Sequence, residues 1–349
     1  MDRRQYLNRT AITLVGCSLL AGCLDSIVGE ERGVTTSETD RSADDEETAG
    51  DGEETEGDGE ETESREADRA IRQAAGSANR ASLSLAAVEE ELEDSDSIDF
   101  DADEPRELID EAGDHLEAAE SEPDISEEQL ADVEELETLL GILYRIVNAT
   151  DFVTDESLET AVDEIQASIE NDDVESAQEI LDELEARIVE EKSSMDDALD
   201  DLDAVDRDRL EALDVVDLDE LETGATEIAV GIDSFETLAS GLDSILSGYE
   251  SLAIGKEDLE NGRFEAAIES FEEANVAFEN AGTIVDGSEA PPALSSHFEV
   301  LSCQANRLES AAQRFVDAAN AAADEDPVAA DQYRQEGEAY VEAAESCAD

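Results

Sequence analysis

Four cysteines, Cys17, Cys23, Cys303 and Cys347, are the residues of this sequence best suited to covalent chemistry. A thiol can take a lipid, hold a metal or close a disulfide, and its surroundings decide which. Cys23 ends the apolar run Ser18-Leu19-Leu20-Ala21-Gly22. Cys23 is open to three readings, a core residue, a redox group or an attachment point, and the amino terminus decides among them. Cys303 and Cys347 flank the turn Asp324-Glu325-Asp326-Pro327, each 22 residues from Glu325. In an antiparallel helical hairpin, equal distance from the turn means equal height. The spacing therefore predicts a Cys303–Cys347 disulfide, in a compartment that permits one.

Other reactive side chains form no recognisable constellation. His115 and His297 are the only histidines, each isolated among helical residues. HExxH, GxGxxG, GxxxxGK[ST] and GxSxG motifs are absent. Asp99, Asp101 and Asp103 alternate like the start of a calcium loop. Glu104 stands where that loop needs glycine, and Asp110 where it needs a bidentate glutamate. No catalytic residue, cofactor or metal is expected, and the chain does not read as an enzyme. Asn148-Ala149-Thr150 is a sequon, which makes Asn148 a candidate for glycosylation.

The amino terminus explains what Cys23 attaches to. Arg3, Arg4 and Arg9 make a positive region, followed by 13 uncharged positions from Thr10 to Gly22. A membrane-spanning helix needs about 20 apolar residues, so this run fits an export signal instead. Leu20-Ala21-Gly22-Cys23 resembles the lipobox of secreted lipoproteins. Arg3-Arg4-Gln5-Tyr6-Leu7 resembles the twin-arginine export signal, with Tyr6 where Phe is commoner. These resemblances imply that residues 1–22 are removed and that Cys23 carries the lipid. Two lipid chains would anchor the protein stably to the extracellular face of the cell membrane. The twin-arginine route carries proteins already folded.

The 349 residues include 100 acidic and 20 basic side chains, net −80. Loss of residues 1–22 removes Asp2 and three arginines and leaves 99 acids against 17 bases, net −82. At molar salt the Debye length is about 3 Å and such self-repulsion is screened. The pattern resembles the proteins of salt-loving archaea, in which acidity is an adaptation to solvent. No basic patch is evident to release counterions from phosphate, so a nucleic-acid partner is excluded. Tryptophan is absent, aromatics are 4 % and apolar residues 40 %, which suits an all-α fold with small aliphatic cores.

Residues 23–64 are polar, acidic and rich in Gly, Ser and Thr, with "GDGEETE" twice in tandem. Such a stretch buries too little to offset its ordering entropy and reads as a disordered acidic tether. From Arg65 onward apolar residues recur at helical spacing. Helices are expected near 66–93, 104–121, 126–149, 155–170, 173–204, 218–261, 264–282, 291–323 and 327–347. Ile228, Ile232, Phe235, Ala239, Leu242, Leu246, Tyr249 and Ala253 step by alternate fours and threes, as do Leu294, Phe298, Leu301, Ala305, Leu308, Ala312, Phe315 and Ala319. Both are seams of helices packed side by side. The expected layout is a signal over 1–22, a tether over 23–64, a helical body over 65–286 and a C-terminal helical hairpin over 287–349.

One segment of the body, 248–281, holds a repeat-like unit. Gly255 and Gly262, followed by Phe264, Ala267, Phe271 and Ala274, resemble a tetratricopeptide repeat. Small Gly255 and Ala267 would let two helices approach, Gly262 would allow the turn, and Phe264 and Phe271 would fill the space between. Ser251 and Asp258 replace the family's usual aromatics, and Glu279 its closing proline. Asn171 to Leu184 is a weaker echo. The family binds protein segments, so the resemblance implies a membrane-anchored protein-interaction or scaffold module with envelope or extracellular partners. The alternative is a lipid-anchored solute- or cation-binding protein. Oligomeric state is not indicated.

Overall fold

A computed structural model describes residues 64–94, 100–170, 173–215, 217–288 and 294–348. The signal residues Arg3 and Arg4, the lipid acceptor Cys23 and the tether lie outside the described residues, as does Asp99. The described residues form an all-α structure without a strand. Its elements are α1 (Arg65–Asp94), α2 (Asp103–Glu120), α3 (Glu127–Thr154), α4 (Glu156–Glu170), α5 (Val174–Ala204), α6 (Arg207–Ala212), α7 (Leu218–Glu260), α8 (Phe264–Asp286), α9 (Ser295–Ala323) and α10 (Pro327–Glu345).

Local sequence sets most of these boundaries. Ser126 caps α3 in a capping box: its hydroxyl accepts from Gln129 N at 3.2 Å, and Gln129 Oε1 accepts from Ser126 N at 3.0 Å. Asp173, Asp206, Asp217 and Asp326 cap α5, α6, α7 and α10. Acidic residues thus serve here as ends of helices as well as solvent-facing charge. The turn before α10 places Glu325 at φ 63°, between helices whose cysteines were expected to meet.

α1 packs on α2 and α3, α3 on α5, and α4 on α5. α7 lies against α5 and then α8, while α8 packs on α9 and α9 on α10. The 43 residues of α7 span roughly 65 Å at 1.5 Å per residue, so one helix runs through both packings. Phe152 of α3 meets Phe235 of α7 edge to face at 6.2 Å. Further along, Tyr249 of α7 meets Phe278 of α8 in the same way at 5.8 Å. Many contact positions are alanine, as at Ala67, Ala70, Ala74, Ala75, Ala78 and Ala81 of α1, which explains a core with few aromatics.

Two expectations are corrected. α6 was not anticipated: six residues with only Leu210 buried give no readable period. The seam of α7 also drifts. Ile232 to Leu246 is buried, but Ala253 is exposed, while Leu252 and Gly255 turn inward. A straight helix turns every 3.6 residues, so a strict seven-residue seam rotates away from its partner. By contrast, all eight positions of the α9 seam are buried.

Candidate functional site: the repeat-like hairpin and its staple

The α7–α8 hairpin is held by glycines on one helix and large side chains on the other. A Cβ added at Gly255 would lie 2.6 Å from Phe271 Cδ1, and one at Gly248 would lie 2.7 Å from Phe278 Cδ1. One at Gly241 would lie 3.3 Å from Val285 Cγ2 and 2.7 Å from Leu301 Cδ2 of α9. The glycines are seven apart, and so are Phe271, Phe278 and Val285. Every pair is centred on position 263, as two antiparallel helices joined there require. Glycine within a helix costs about 0.5–1 kcal/mol relative to alanine, and the rings seated on these backbones are fully buried. Only Gly255 was legible as a packing residue. Gly241 and Gly248 carried the same signal, a seven-residue glycine spacing.

The turn departs from the resembled repeat in an intelligible way. Gly262 takes φ 74°, which glycine alone adopts freely. Asp258, where the repeat has an aromatic, is buried; Arg263 Nε donates to its Oδ1 at 2.6 Å, and Arg263 N donates to its carbonyl at 2.9 Å. An ion pair thus closes the turn. Ala267, Phe271 and Ala274 are fully buried. Phe264 is not: it opens α8, half-buried, and Phe278 rather than Phe264 joins Phe271 in filling the interhelical space. Its position at the first turn leaves it beside the loop.

α9 and α10 continue the same antiparallel succession. Phe271 stacks on Phe315 of α9 with centroids 5.3 Å apart, and the Lys256 ammonium lies 5.1 Å from the Phe315 centroid. A Cβ at Gly337 of α10 would stand 3.0 Å from the Phe315 ring. Cys303 and Cys347 are joined by a disulfide, with Cα atoms 5.9 Å apart and a separation of 44 residues. Between α8 and α9 an open cleft of about 370 Å³ is lined by Glu279, Asp286, Asn306 and Glu309 among others. Ser302 donates to Asp286 at 2.8 Å on its rim.

Few bases serve many acids, and several bridge elements. Lys192 of α5 donates to Asp233 and to Glu236 of α7, which hold its pKa above the ordinary lysine value. Arg145 of α3 donates to Asp201 of α5 at 2.5 Å. Glu191 of α5 has an unpartnered buried Oε2. Burial first, and then Glu190 and Asp151, raise its carboxyl pKa, with Arg187 and Arg106 pulling the other way.

The remaining sequence candidates lie apart from one another. Asn148 sits inside α3, where Arg106 donates to its Oδ1 at 2.8 and 3.0 Å. Thr150 of the same sequon is buried and donates to Ile146 O at 2.8 Å. Asp101 accepts from Asp103 N at 3.1 Å at the start of α2, and Asp103 to Asp110 is helix, not a calcium loop. His115 lies 3.9 Å from Glu111, and His297 is half-buried with its pKa lowered by burial against a small opposing pull from Asp163. Among the described residues no group of His, Cys, Asp and Glu is placed to hold a metal, and no helix is long and apolar enough to cross a membrane. No protein family, curated protein or solved structure matches this chain.

Proposed function

We propose that this chain is a lipid-anchored, extracellular helical module that binds or scaffolds other envelope proteins. Arg3, Arg4 and the Leu20–Cys23 run support export and anchoring at Cys23, and residues 24–64 serve as an acidic spacer. The observation that carries the interaction role is the Gly255–Phe271 and Gly248–Phe278 register, which builds a rigid helical pair of the kind the resembled repeat uses to present a binding surface. The α9–α10 pair, stapled by Cys303–Cys347, extends that surface by a second hairpin. Exposed Ile254 and Val276 lie on the first hairpin.

Photocrosslinkers at positions 254 and 276, with position 189 of α5 as a control, test this in native membranes at high salt. One defined protein adduct from the hairpin positions and none from the control is expected. Adduct-free protein at all three positions contradicts the role.

A further inference from the structure

The first half of α1 is a local exception to the acidity of the chain, although the same helix ends in Glu89, Glu90, Glu91, Glu93 and Asp94. Residues 65–80 hold Arg65, Arg69, Arg72 and Arg80 against Glu66 and Asp68, a net +2 within a chain of net −80. The positions Arg65, Arg69, Arg72, Gly76, Arg80 and Leu83 step by 4, 3, 4, 4 and 3. At 3.6 residues per turn they fall within a sector of about 80° on one side of the helix. The opposite side holds the buried Ala67, Ala70, Ile71, Ala74, Ala75 and Ala78.

Among the described residues nothing covers the arginine side. Arg65 and Arg69 are exposed and make no ion pair or hydrogen bond among the described residues. The Arg72 and Arg80 side chains are 75 % and 56 % exposed; Arg72 donates to Asp68 O at 3.0 Å and lies 3.7 Å from its carboxylate, and Arg80 donates to Ser77 Oγ at 2.8 Å and pairs with Glu111 at 2.9 Å. Gly76 has no atom within 4 Å of where a side chain would begin, so nothing rises between Arg72 and Arg80. Leu83, 54 % exposed, continues the stripe with an apolar side chain. Arginines in line with an exposed leucine suit a surface of phosphates over hydrocarbon.

We infer that this face of α1 docks on an anionic lipid surface, the headgroup layer of the membrane that holds the chain. The inference rests on the lipid-anchor reading for its location: α1 is the first described helix after Cys23, so Arg65 is where the spacer enters the body. Anchoring makes the encounter intramolecular, and a weak contact then suffices. At molar salt the general repulsion between an acidic body and an anionic surface is screened beyond about 3 Å, while direct guanidinium–phosphate contacts lie inside that distance. The acidic run Asp44 to Glu63 is a poorer occupant, because ordering a chain along α1 costs more per residue than an exposed ion pair returns.

The test uses mature protein with Cys23→Ser, which carries no lipid, in flotation with vesicles of phosphatidylcholine alone or mixed with phosphatidylglycerol. Partition onto the anionic vesicles should exceed that onto the neutral ones by about tenfold. The triple variant Arg65→Gln, Arg69→Gln, Arg72→Gln should fall to the neutral level with its helicity unchanged. Equal partition onto both vesicles, no flotation with either, or a triple variant that still floats overturns the inference; so does scattering that shows self-association through this face. None of these results touches the anchor, which is read separately as lipid mass on Cys23.

Discussion

The ring of Phe278 occupies the space in which a side chain of Gly248 would begin: an added Cβ would stand 2.7 Å from its Cδ1. Tyr249, the next residue along α7, closes on the same ring edge to face at 5.8 Å. Backbone and aromatic ring thus share one seam, and the approach of α7 to α8 is set by the missing side chain. The sign of a glycine substitution depends on this.

Gly248→Ala should destabilise the protein by about 1–3 kcal/mol, as overpacking does. Gly76→Ala, also within a helix but open to solvent, should stabilise by about 0.5–1 kcal/mol. Denaturant midpoints for both variants at one salt concentration check the pair. Shifts of the same sign would mean that the hairpin tolerates the methyl group.

The two phenylalanines of the repeat-like unit should separate cleanly. Phe271 is fully buried, so Phe271→Ala should cost about 3–5 kcal/mol. Phe264→Ala, at a half-buried first-turn position, should cost about 1 kcal/mol or less. Comparable losses would restore Phe264 to the interhelical packing.

Double substitution of Cys303 and Cys347 by serine should lower stability by about 4 kcal/mol on the chain-entropy argument for a closed loop of this length. Alkylation of the native protein before and after reduction reads the bond itself. Two thiols at these positions that alkylate without reductant would deny it.

Glu191 gives a pH signature. Its raised carboxyl pKa means that the native protein takes up this proton before the unfolded chain does. Its contribution to stability therefore improves as pH falls through that raised value and is worst at neutral pH. Glu191→Gln should raise the melting midpoint at neutral pH, and the gain should shrink on acidification into the carboxylate range. A gain independent of pH would show that packing, not charge, is the cause.

Much of this fold was legible in the sequence because helical period and end signals agreed. The alternating four-and-three spacing from Leu294 to Ala319 matches the buried seam of α9, and the Asp324–Pro327 turn placed Cys303 and Cys347 at one height. What escaped has physical reasons. α6 is shorter than two turns and buries one leucine. Gly241 and Gly248 have no apolar side chain to mark them, because glycine contributes through the neighbour it admits. Asp258 read as a defect in the repeat, since its partner Arg263 lies across a turn whose shape a spacing does not reveal. The arginines of α1 stand out as one stripe only against the burial of the opposite side of the helix.

Asn148 should carry no glycan once the protein is folded, since Arg106 holds its side chain and Thr150 is buried within α3. A glycan mass on a peptide containing Asn148 would show that modification precedes folding.

The anchor itself is decided by the mass of the amino-terminal peptide of protein extracted from native membranes. The account predicts a peptide that begins at Cys23 and bears two lipid chains. A peptide that retains residues before Cys23, or one with an unmodified Cys23 thiol, would contradict it.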